Sequence, residues 1–234
     1  MRWYRPLLGF VWLALLISSP AFGQDPVKVD PQHYKVILDN ASVRVLRINY
    51  PAGAKSVMHS HPDAMFISLG ASKGRFTMPD GKFQDVDMAV DSALYTPAGT
   101  HLPSNTGSTP IDGVLVEFKS PAPGKATLPS TRPDMTMKLL AEGPRAAAYR
   151  VTSTASFSEP AGSKHDFDQV VIALGPISVS VAIEGKAART SWARGDALFI
   201  GRGVAHESKK YRWQARRNGE CLDQMSGQSV FRTL

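Results

Sequence analysis

The sequence predicts an all-β protein built from two barrels in tandem, and two observations support this prediction. Short runs of β-branched and aromatic residues recur between Gly- and Pro-containing turn signals, and long amphipathic helical patterns are absent. The part of the chain after residue 134 also repeats the part before residue 120. Two copies of a unit of about 100 residues, a common domain size, account for both observations.

The chain is expected to begin with an export signal over residues 1–23. Two arginines precede an apolar run over residues 7–17, and Ala21 and Gly23 match a small-x-small cleavage pattern. The run is shorter than the roughly 20 apolar residues that span a bilayer, although such segments are occasionally retained as anchors. We therefore expect an exported protein, periplasmic or secreted, with no stable membrane insertion after signal cleavage.

Composition and charge argue against a nucleic-acid partner. The first 23 residues hold two of the 27 Lys and Arg and none of the 20 Asp and Glu, so the remaining chain has a formal charge of +5. This mild excess comes without a basic stripe interleaved with aromatics. Cys221 is the only cysteine, so no internal disulfide forms, and stability must come from a core, a metal or a partner.

A Pro-rich stretch over residues 121–134 reads as a linker between two predicted domains, residues 34–120 and 135–234. Several segments recur on its two sides, and the Leu-Gly pair and a later His both recur at a spacing of 105 residues. The recurring pairs are Pro51-Ala52-Gly53 with Pro160-Ala161-Gly162, Leu69-Gly70 with Leu174-Gly175, and His101 with His206.

Three histidines of the first domain form a candidate metal site. His59 and His61 are two residues apart, so on a strand they face the same side. His101 lies at the end of another apolar run, and barrel closure would bring it opposite this pair. Three neutral imidazoles bind divalent Fe, Mn, Zn, Ni or Cu and leave a position open for water or substrate. The alternative is that the pair is merely polar sequence on a solvent-exposed strand.

These residues resemble the two signature motifs of the cupin superfamily. The first family motif is Gly, five residues, His-x-His, three or four residues, Glu, six residues, Gly; the second is Gly, five residues, Pro-x-Gly, two residues, His, three residues, Asn. The matching positions here are Gly53, His59 and His61 for the first motif, and Pro97, Gly99, His101 and Asn105 for the second. The resemblance covers most of residues 34–120 and, more weakly, 135–215. It implies a bicupin: two double-stranded β-helix (jelly-roll) barrels with one divalent transition metal in the first.

The first motif departs from the family pattern at the Glu ligand, which would fall at Met65 or Phe66. The site then resembles the three-histidine variant of some cupin dioxygenases, such as the thiol- and diketone-cleaving types. With neutral ligands only, the ion keeps its full charge and attracts anionic or bidentate oxygen ligands. The residues expected to support the metal ligands or to line the pocket are Asp63, Met65, Tyr95 and Asn105.

The second copy of the repeat is less complete. Four residues are missing where the His-x-His pair of the first copy lies. His165, Asp168 and His206 are candidates for a weaker second metal site. The alternative is that His165 and Asp168 form a hydrogen-bonded surface pair, that His206 is a remnant, and that this barrel stabilises the first by packing against it.

Three classes of function remain open from the sequence. The leading hypothesis is a small-molecule metalloenzyme, either an oxygenase or a hydrolytic or isomerising enzyme. A non-catalytic barrel that binds a small ligand or a sugar is the second, and a structural or partner-binding protein is the third. The family resemblance also suggests a homodimer, because cupins often pair through strand edges.

Overall fold

The structure is a computed structural model that describes residues 24–119 and 133–210, together with the backbone of residues 216–217, 220–221 and 227–233. The predicted export signal and nearly all of the predicted linker lie outside the described residues. The described residues contain one short helix, α1 (Pro26–Val29), which the side chain of Asp25 caps by accepting a hydrogen bond from the Val27 N–H. No described helix has the length and hydropathy needed to cross a membrane.

The first barrel consists of nine strands in two antiparallel sheets. The larger sheet has the order β1-β2-β9-β4-β7 and the smaller has the order β3-β8-β5-β6. The strands are β1 Tyr34–Asp39, β2 Val43–Tyr50, β3 His59–His61, β4 Ala64–Ser68, β5 Ser72–Thr77, β6 Phe83–Met88, β7 Ala93–Thr96, β8 Gly99–Asn105 and β9 Ile111–Phe118.

The second barrel repeats this topology and adds a separate two-stranded sheet, β18-β19. Its larger sheet has the order β10-β11-β20-β13-β16 and its smaller sheet the order β12-β17-β14-β15. Because the two orders coincide with those of the first barrel, the predicted all-β fold of two tandem barrels is confirmed. The strands are β10 Met135–Glu142, β11 Ala146–Ser153, β12 Ser158–Ser163, β13 Gln169–Ala173, β14 Val179–Ile183, β15 Lys186–Arg189, β16 Ala197–Ile200, β17 His206–Lys210, β18 Arg216–Arg217, β19 Glu220–Cys221 and β20 Gly227–Thr233.

The larger sheets of the two barrels pack against each other and form the main hydrophobic core. One buried cluster contains side chains of both barrels, among them Met65 and Ile67 of β4 and Val170 and Ile172 of β13. Each large sheet is therefore covered on both faces, by its own barrel interior and by the other barrel. This explains why β13 is buried along its whole length instead of alternating buried and exposed residues.

Polar contacts also join the barrels at the edges of this interface. The guanidinium group of Arg194 donates hydrogen bonds to the Leu69 carbonyl, at 2.6 and 3.1 Å, and forms an ion pair with Asp91. Asp91 has φ 57°, a left-handed conformation that Asp tolerates at turns. The second barrel therefore braces the turn that precedes β7 of the first.

Candidate metal centre

Pairing of β3 with β8 brings the three predicted histidine ligands together. His59 lies directly opposite His101 in the antiparallel register. The ring of His101 lies 5.3 Å from that of His59 and 4.7 Å from that of His61, measured between centroids. All three rings line one cavity inside the first barrel. The sequence-based expectation that barrel closure gathers these imidazoles therefore agrees with their positions.

Backbone carbonyls orient two of the three imidazoles. His59 Nδ1 lies 2.9 Å from the Val57 carbonyl oxygen, and His61 Nδ1 lies 2.6 Å from that of Pro62. A carbonyl oxygen can only accept, so in both rings Nδ1 carries the proton and donates it. Nε2 then keeps its lone pair, which is the arrangement that metal-ligating histidines use.

Burial keeps the imidazoles of His59 and His101 neutral. Desolvation lowers the pKa of His101 to about 3, and the neighbouring His61 and His59 lower it further. Desolvation also lowers the pKa of His59, with a smaller contribution in the same direction from His61. Neutral imidazoles have a free lone pair at neutral pH, so the protonation state suits cation binding.

Two aromatic side chains contact the histidines directly. The Tyr34 hydroxyl lies 3.1 Å from His59 Nε2, and its pKa is raised well above the ordinary value by burial, so it donates the hydrogen bond. The ring of Phe76 stacks on His101 at 4.5 Å with an interplanar angle of 10°. Neither residue was predicted from the sequence, because both lie outside the signature motifs.

The cavity above the histidines has a volume of about 80 Å³ and a largely apolar wall. A cavity of this size has room for several waters or a small organic group. Its lining includes Tyr34, Ile48, Tyr50, Phe66, Phe76, Met88, Leu94, Ile111 and Leu115, with Ser72, Arg75, Thr96 and Ser104 as polar members.

Two of the predicted supporting residues, Met65 and Tyr95, lie on the other face of the large sheet. Met65 is fully buried in the core shared by the two barrels, and Tyr95 packs against the same core. The neighbour of Met65, Phe66, faces the cavity instead. Side chains alternate along β4, so only one of the two residues can face the cavity. Phe66 therefore occupies the position where the cupin motif would place its Glu.

The other two predicted supporting residues, Asp63 and Asn105, hold loops together rather than line the cavity. One carboxylate oxygen of Asp63 accepts the Ala98 N–H at 2.9 Å, and the other lies 3.7 Å from Arg145 of the second barrel. The side-chain amide of Asn105 donates to the carbonyls of Tyr50, Pro51 and Thr109. Both side chains therefore position the segments that flank the histidine strands.

The second barrel contains a tighter group of potential ligands, Glu159, His165 and His206. Their ligand atoms all lie within 4.8 Å of one another, and among the described residues this is the one group of His, Cys, Asp and Glu that meets this limit. Asp168, which the sequence offered as a third ligand, is not in the group. Its carboxylate accepts the Arg202 N–H at 2.8 Å, so Glu159 takes the place that was predicted for Asp168.

In this second group the histidines stabilise the ionised form of Glu159, and Glu159 stabilises the protonated form of His206. Burial alone would raise the pKa of Glu159, but His165 and His206 lower it below its ordinary value. In return, the Glu159 carboxylate raises the pKa of His206 despite its burial. The signal for Glu159 in the sequence is its position directly before the repeated Pro-Ala-Gly segment, which Tyr50 occupies in the first copy.

Solved structures with a similar fold support the architecture. Salicylate 1,2-dioxygenase from Pseudoaminobacter salicylatoxidans, in a structure with gentisate, matches with a TM-score of 0.57 at 13% identity, over 84% of this chain and 70% of that one. A cupin 2 conserved barrel domain protein from Leptotrichia buccalis matches with a TM-score of 0.52 at 10% identity, over 86% of this chain and 88% of that one.

Comparisons by sequence give no match. No family model matches the chain, and no curated protein does. The structural likeness, at these identities, shows the fold alone. The chain has the cupin fold, with two barrels arranged as in a bicupin dioxygenase.

Proposed function

We propose that this protein is an exported small-molecule metalloenzyme, dioxygenase-like in its chemistry, whose first barrel binds one divalent transition metal through His59, His61 and His101. The observation that carries the proposal is the placement of the three imidazoles together in the lining of one apolar cavity. In two of them Nε2 is the nitrogen that keeps its lone pair.

The ring centroids are spaced for a shared ion, and the nitrogens reach it after rotation of the side chains. Imidazoles that bind one metal at 2.0–2.1 Å in a tetrahedral arrangement have ring centroids about 5 Å apart. The two measured separations, 5.3 and 4.7 Å, bracket this value. The nitrogens themselves are spread more widely than the 4.8 Å limit that the second-barrel group meets. Binding therefore requires side-chain rotation, with His59 Nε2 exchanging the Tyr34 hydroxyl for the metal.

A metal bound here would supply Lewis acidity or oxygen activation, and the chain would supply the surroundings. The aromatic wall excludes water and contacts the apolar part of a substrate. The Tyr34 hydroxyl is a protonated donor beside the ligands, suited to hold an oxygen atom of the substrate.

Charge and shape together define the substrate class. Three neutral ligands leave the full charge of the ion, which favours an anionic or bidentate oxygen ligand. The cavity favours a small aromatic or apolar body. The solved salicylate 1,2-dioxygenase, described in complex with gentisate, has the same fold and handles a compound of this class. Small aromatic hydroxy acids are therefore the first substrates to test.

A non-catalytic ligand-binding barrel is the second candidate. Among the described residues that line the cavity, none is a carboxylate, and Tyr34 is the one acidic or basic group in direct hydrogen-bond contact with a histidine. A binder of small apolar anions needs no further proton-transfer group. Metal binding without turnover would favour this candidate.

Dioxygen uptake tests the proposal. The protein, loaded anaerobically with Fe²⁺ or Mn²⁺, is mixed with salicylate, gentisate, a 1,3-diketone or a small thiol, and oxygen consumption is followed. We expect uptake with at least one compound and a loss of at least 100-fold in the His61→Ala variant. Ser60→Ala is the matched control, because Ser60 lies between the two histidines and bonds to Thr100 on the other face. Uptake that persists in His61→Ala, or no uptake with any compound, would contradict the enzymatic proposal.

Export and self-association are parts of the proposal that need separate tests. N-terminal sequencing of protein from the exported fraction should begin at Gln24 if the signal is cleaved. In the structure the Gln24 carbonyl accepts the Ser60 N–H at 3.0 Å, so the segment that follows the predicted cleavage point packs beside the histidine strand. Sedimentation analysis should give twice the chain mass if the barrels pair as homodimers.

A further inference from the structure

We propose that the second barrel holds its own divalent metal ion, on Glu159, His165 and His206. The site is separate from the first-barrel centre and uses a mixed ligand set of two imidazoles and one carboxylate. It goes beyond the proposed function, because neither the dioxygenase-like chemistry nor the three-histidine site requires it.

The distances within this group suit ligands of a common ion. His165 Nε2 lies 3.6 Å from Glu159 Oε1, and His206 Nε2 lies 3.6 Å from Glu159 Oε2. These separations are too long for hydrogen bonds. Ligand atoms bound tetrahedrally at 2.0–2.1 Å lie about 3.3 Å apart, so small movements complete the site.

A buried nitrogen that makes no hydrogen bond points into the group. The side chain of His206 is fully buried, and its Nε2 makes no hydrogen bond. Its Nδ1 lies 3.2 Å from the Val204 carbonyl oxygen and donates to it, so Nε2 is the nitrogen left to bind a ligand. His59 in the first barrel uses the same contact, to the carbonyl two residues earlier. Buried polar atoms almost always make a hydrogen bond, so this nitrogen, which faces the Glu159 carboxylate at 3.6 Å without one, indicates a missing ligand between the two groups.

The strand register explains how Glu159 reaches the site. Glu159 of β12 pairs with Ser208 of β17, and Ser163 pairs with His206. Residues directly opposite on antiparallel strands face the same side, so Glu159, Ser208 and His206 all face the interior. A bulge between Glu159 and Ser163 contains Gly162 at φ 84°. The extra residues bend β12 at this point, which is a common role of bulges beside functional sites.

Local contacts fix the third ligand, His165. Its ring stacks on the buried Phe167 at 4.9 Å with an interplanar angle of 13°. Its backbone carbonyl accepts the Gly203 N–H at 2.8 Å, which ties it to the loop that leads into His206. The rings of His165 and His206 are then 4.8 Å apart. A site with two imidazoles and a carboxylate suits Zn²⁺ or Fe²⁺ and carries one positive charge less than the first-barrel site.

Metal stoichiometry in a background without the first-barrel site tests this inference. The full chain with His61→Ala and His101→Ala is dialysed against Zn²⁺ and then against metal-free buffer, and bound zinc is measured by elemental analysis. We expect one equivalent per chain in this background. Adding Glu159→Gln should weaken zinc binding at least tenfold, because the charge is lost while the shape is kept. Glu207→Gln is the matched control, since the neighbouring carboxylate lies on the opposite face of β17.

The outcomes separate this inference from the proposed function. Zinc that remains unchanged in Glu159→Gln, or a background that binds none while the wild-type chain binds one equivalent, would overturn the second site and leave the first. Loss of zinc with Glu159→Gln, in a wild-type chain that binds only one equivalent, would support the second site and contradict the first. Circular dichroism of each variant identifies any loss of binding caused by unfolding.

Discussion

Two adjacent residues of β4, Met65 and Phe66, provide a sharp test of how the first barrel is built. The family pattern would place a glutamate at one of these positions. Met65 is fully buried between the barrels, whereas Phe66 lines the cavity beside the histidines. Met65→Glu and Phe66→Glu should therefore have opposite consequences, although the substitutions are neighbours in sequence.

The cost of Met65→Glu follows from its surroundings. A glutamate between the barrels must stay protonated, and holding it so at pH 7 costs about 4 kcal/mol, at about 1.36 kcal/mol for each pH unit above an ordinary pKa near 4.3. A buried carboxylic acid without a hydrogen-bond partner adds roughly 1–3 kcal/mol. The sum, about 5–7 kcal/mol, is comparable with the entire stability of many domains, about 5–15 kcal/mol.

The pH dependence of Met65→Glu has a definite sign. The folded state raises the pKa of this glutamate above its unfolded value, so stability is lost as the pH rises. Between pH 5 and pH 7 the deficit relative to the wild type should grow by about 3 kcal/mol. In Phe66→Glu the new carboxylate faces the cavity, so a bound ion removes the cost of burying its charge. Zinc at 100 times its Kd should stabilise this variant by about 2.7 kcal/mol.

Urea unfolding followed by tryptophan fluorescence measures these quantities, with zinc or a chelator, at pH 5 and pH 7. We expect Met65→Glu to unfold at much lower urea than Phe66→Glu and to gain less from zinc, because both variants keep the three histidines and only Phe66→Glu adds a ligand beside them. The reasoning is refuted if the two variants lose the same stability, or if zinc stabilises Met65→Glu and leaves Phe66→Glu unchanged.

Three further predictions concern single contacts. Tyr34→Phe removes the hydroxyl that competes for His59 Nε2, so zinc should bind the first barrel about fivefold more tightly in calorimetry, the equivalent of one hydrogen bond of about 1 kcal/mol. Arg194→Ala removes the donor to the Leu69 carbonyl and leaves Asp91 with Arg150 as its remaining ion-pair partner, so urea unfolding should show a loss of about 1–3 kcal/mol. Gly113→Ala places a Cβ 2.2 Å from the Phe66 ring and 2.7 Å from the Ile67 carbonyl oxygen, so thermal unfolding should show a loss of roughly 1–3 kcal/mol.

Each of these three predictions has a result that contradicts it. Unchanged or weaker zinc binding in Tyr34→Phe would mean that the phenol does not compete with the metal. A wild-type midpoint in Arg194→Ala would mean that the contact between the barrels adds nothing. Wild-type stability in Gly113→Ala would mean that the Phe66 ring moves aside without strain.

The sequence predicts the fold well because its signals are periodic and repeated. The two copies share turn segments and apolar strands, and their strand orders prove identical. The placement of His59 opposite His101 also follows from barrel closure, since strands of one repeat unit pair in a fixed register. Turn segments and alternating strands can be read from the sequence because backbone geometry requires particular residue types at those positions.

The surroundings of the site are less predictable because they depend on which face of a strand is turned inward. Asp63 is an even number of residues from His59 and His61, which predicts the same strand face for all three. However, β3 ends at His61 and the chain then crosses to the other sheet. Met65 does not line the pocket for a related reason: it lies on the outer face of β4, which the second barrel covers. Glu159 comes from a bulged strand, where spacing along the sequence does not give direction.

Elemental analysis tests the metal-binding claim of this account most directly. The full chain, purified from the exported fraction without added metal or chelator, is compared with His61→Ala and Ser60→Ala. We predict a near-stoichiometric divalent transition metal in the wild type and in Ser60→Ala, with one equivalent fewer in His61→Ala. Equal metal in all three proteins would contradict the claim that the first barrel binds an ion through its histidines.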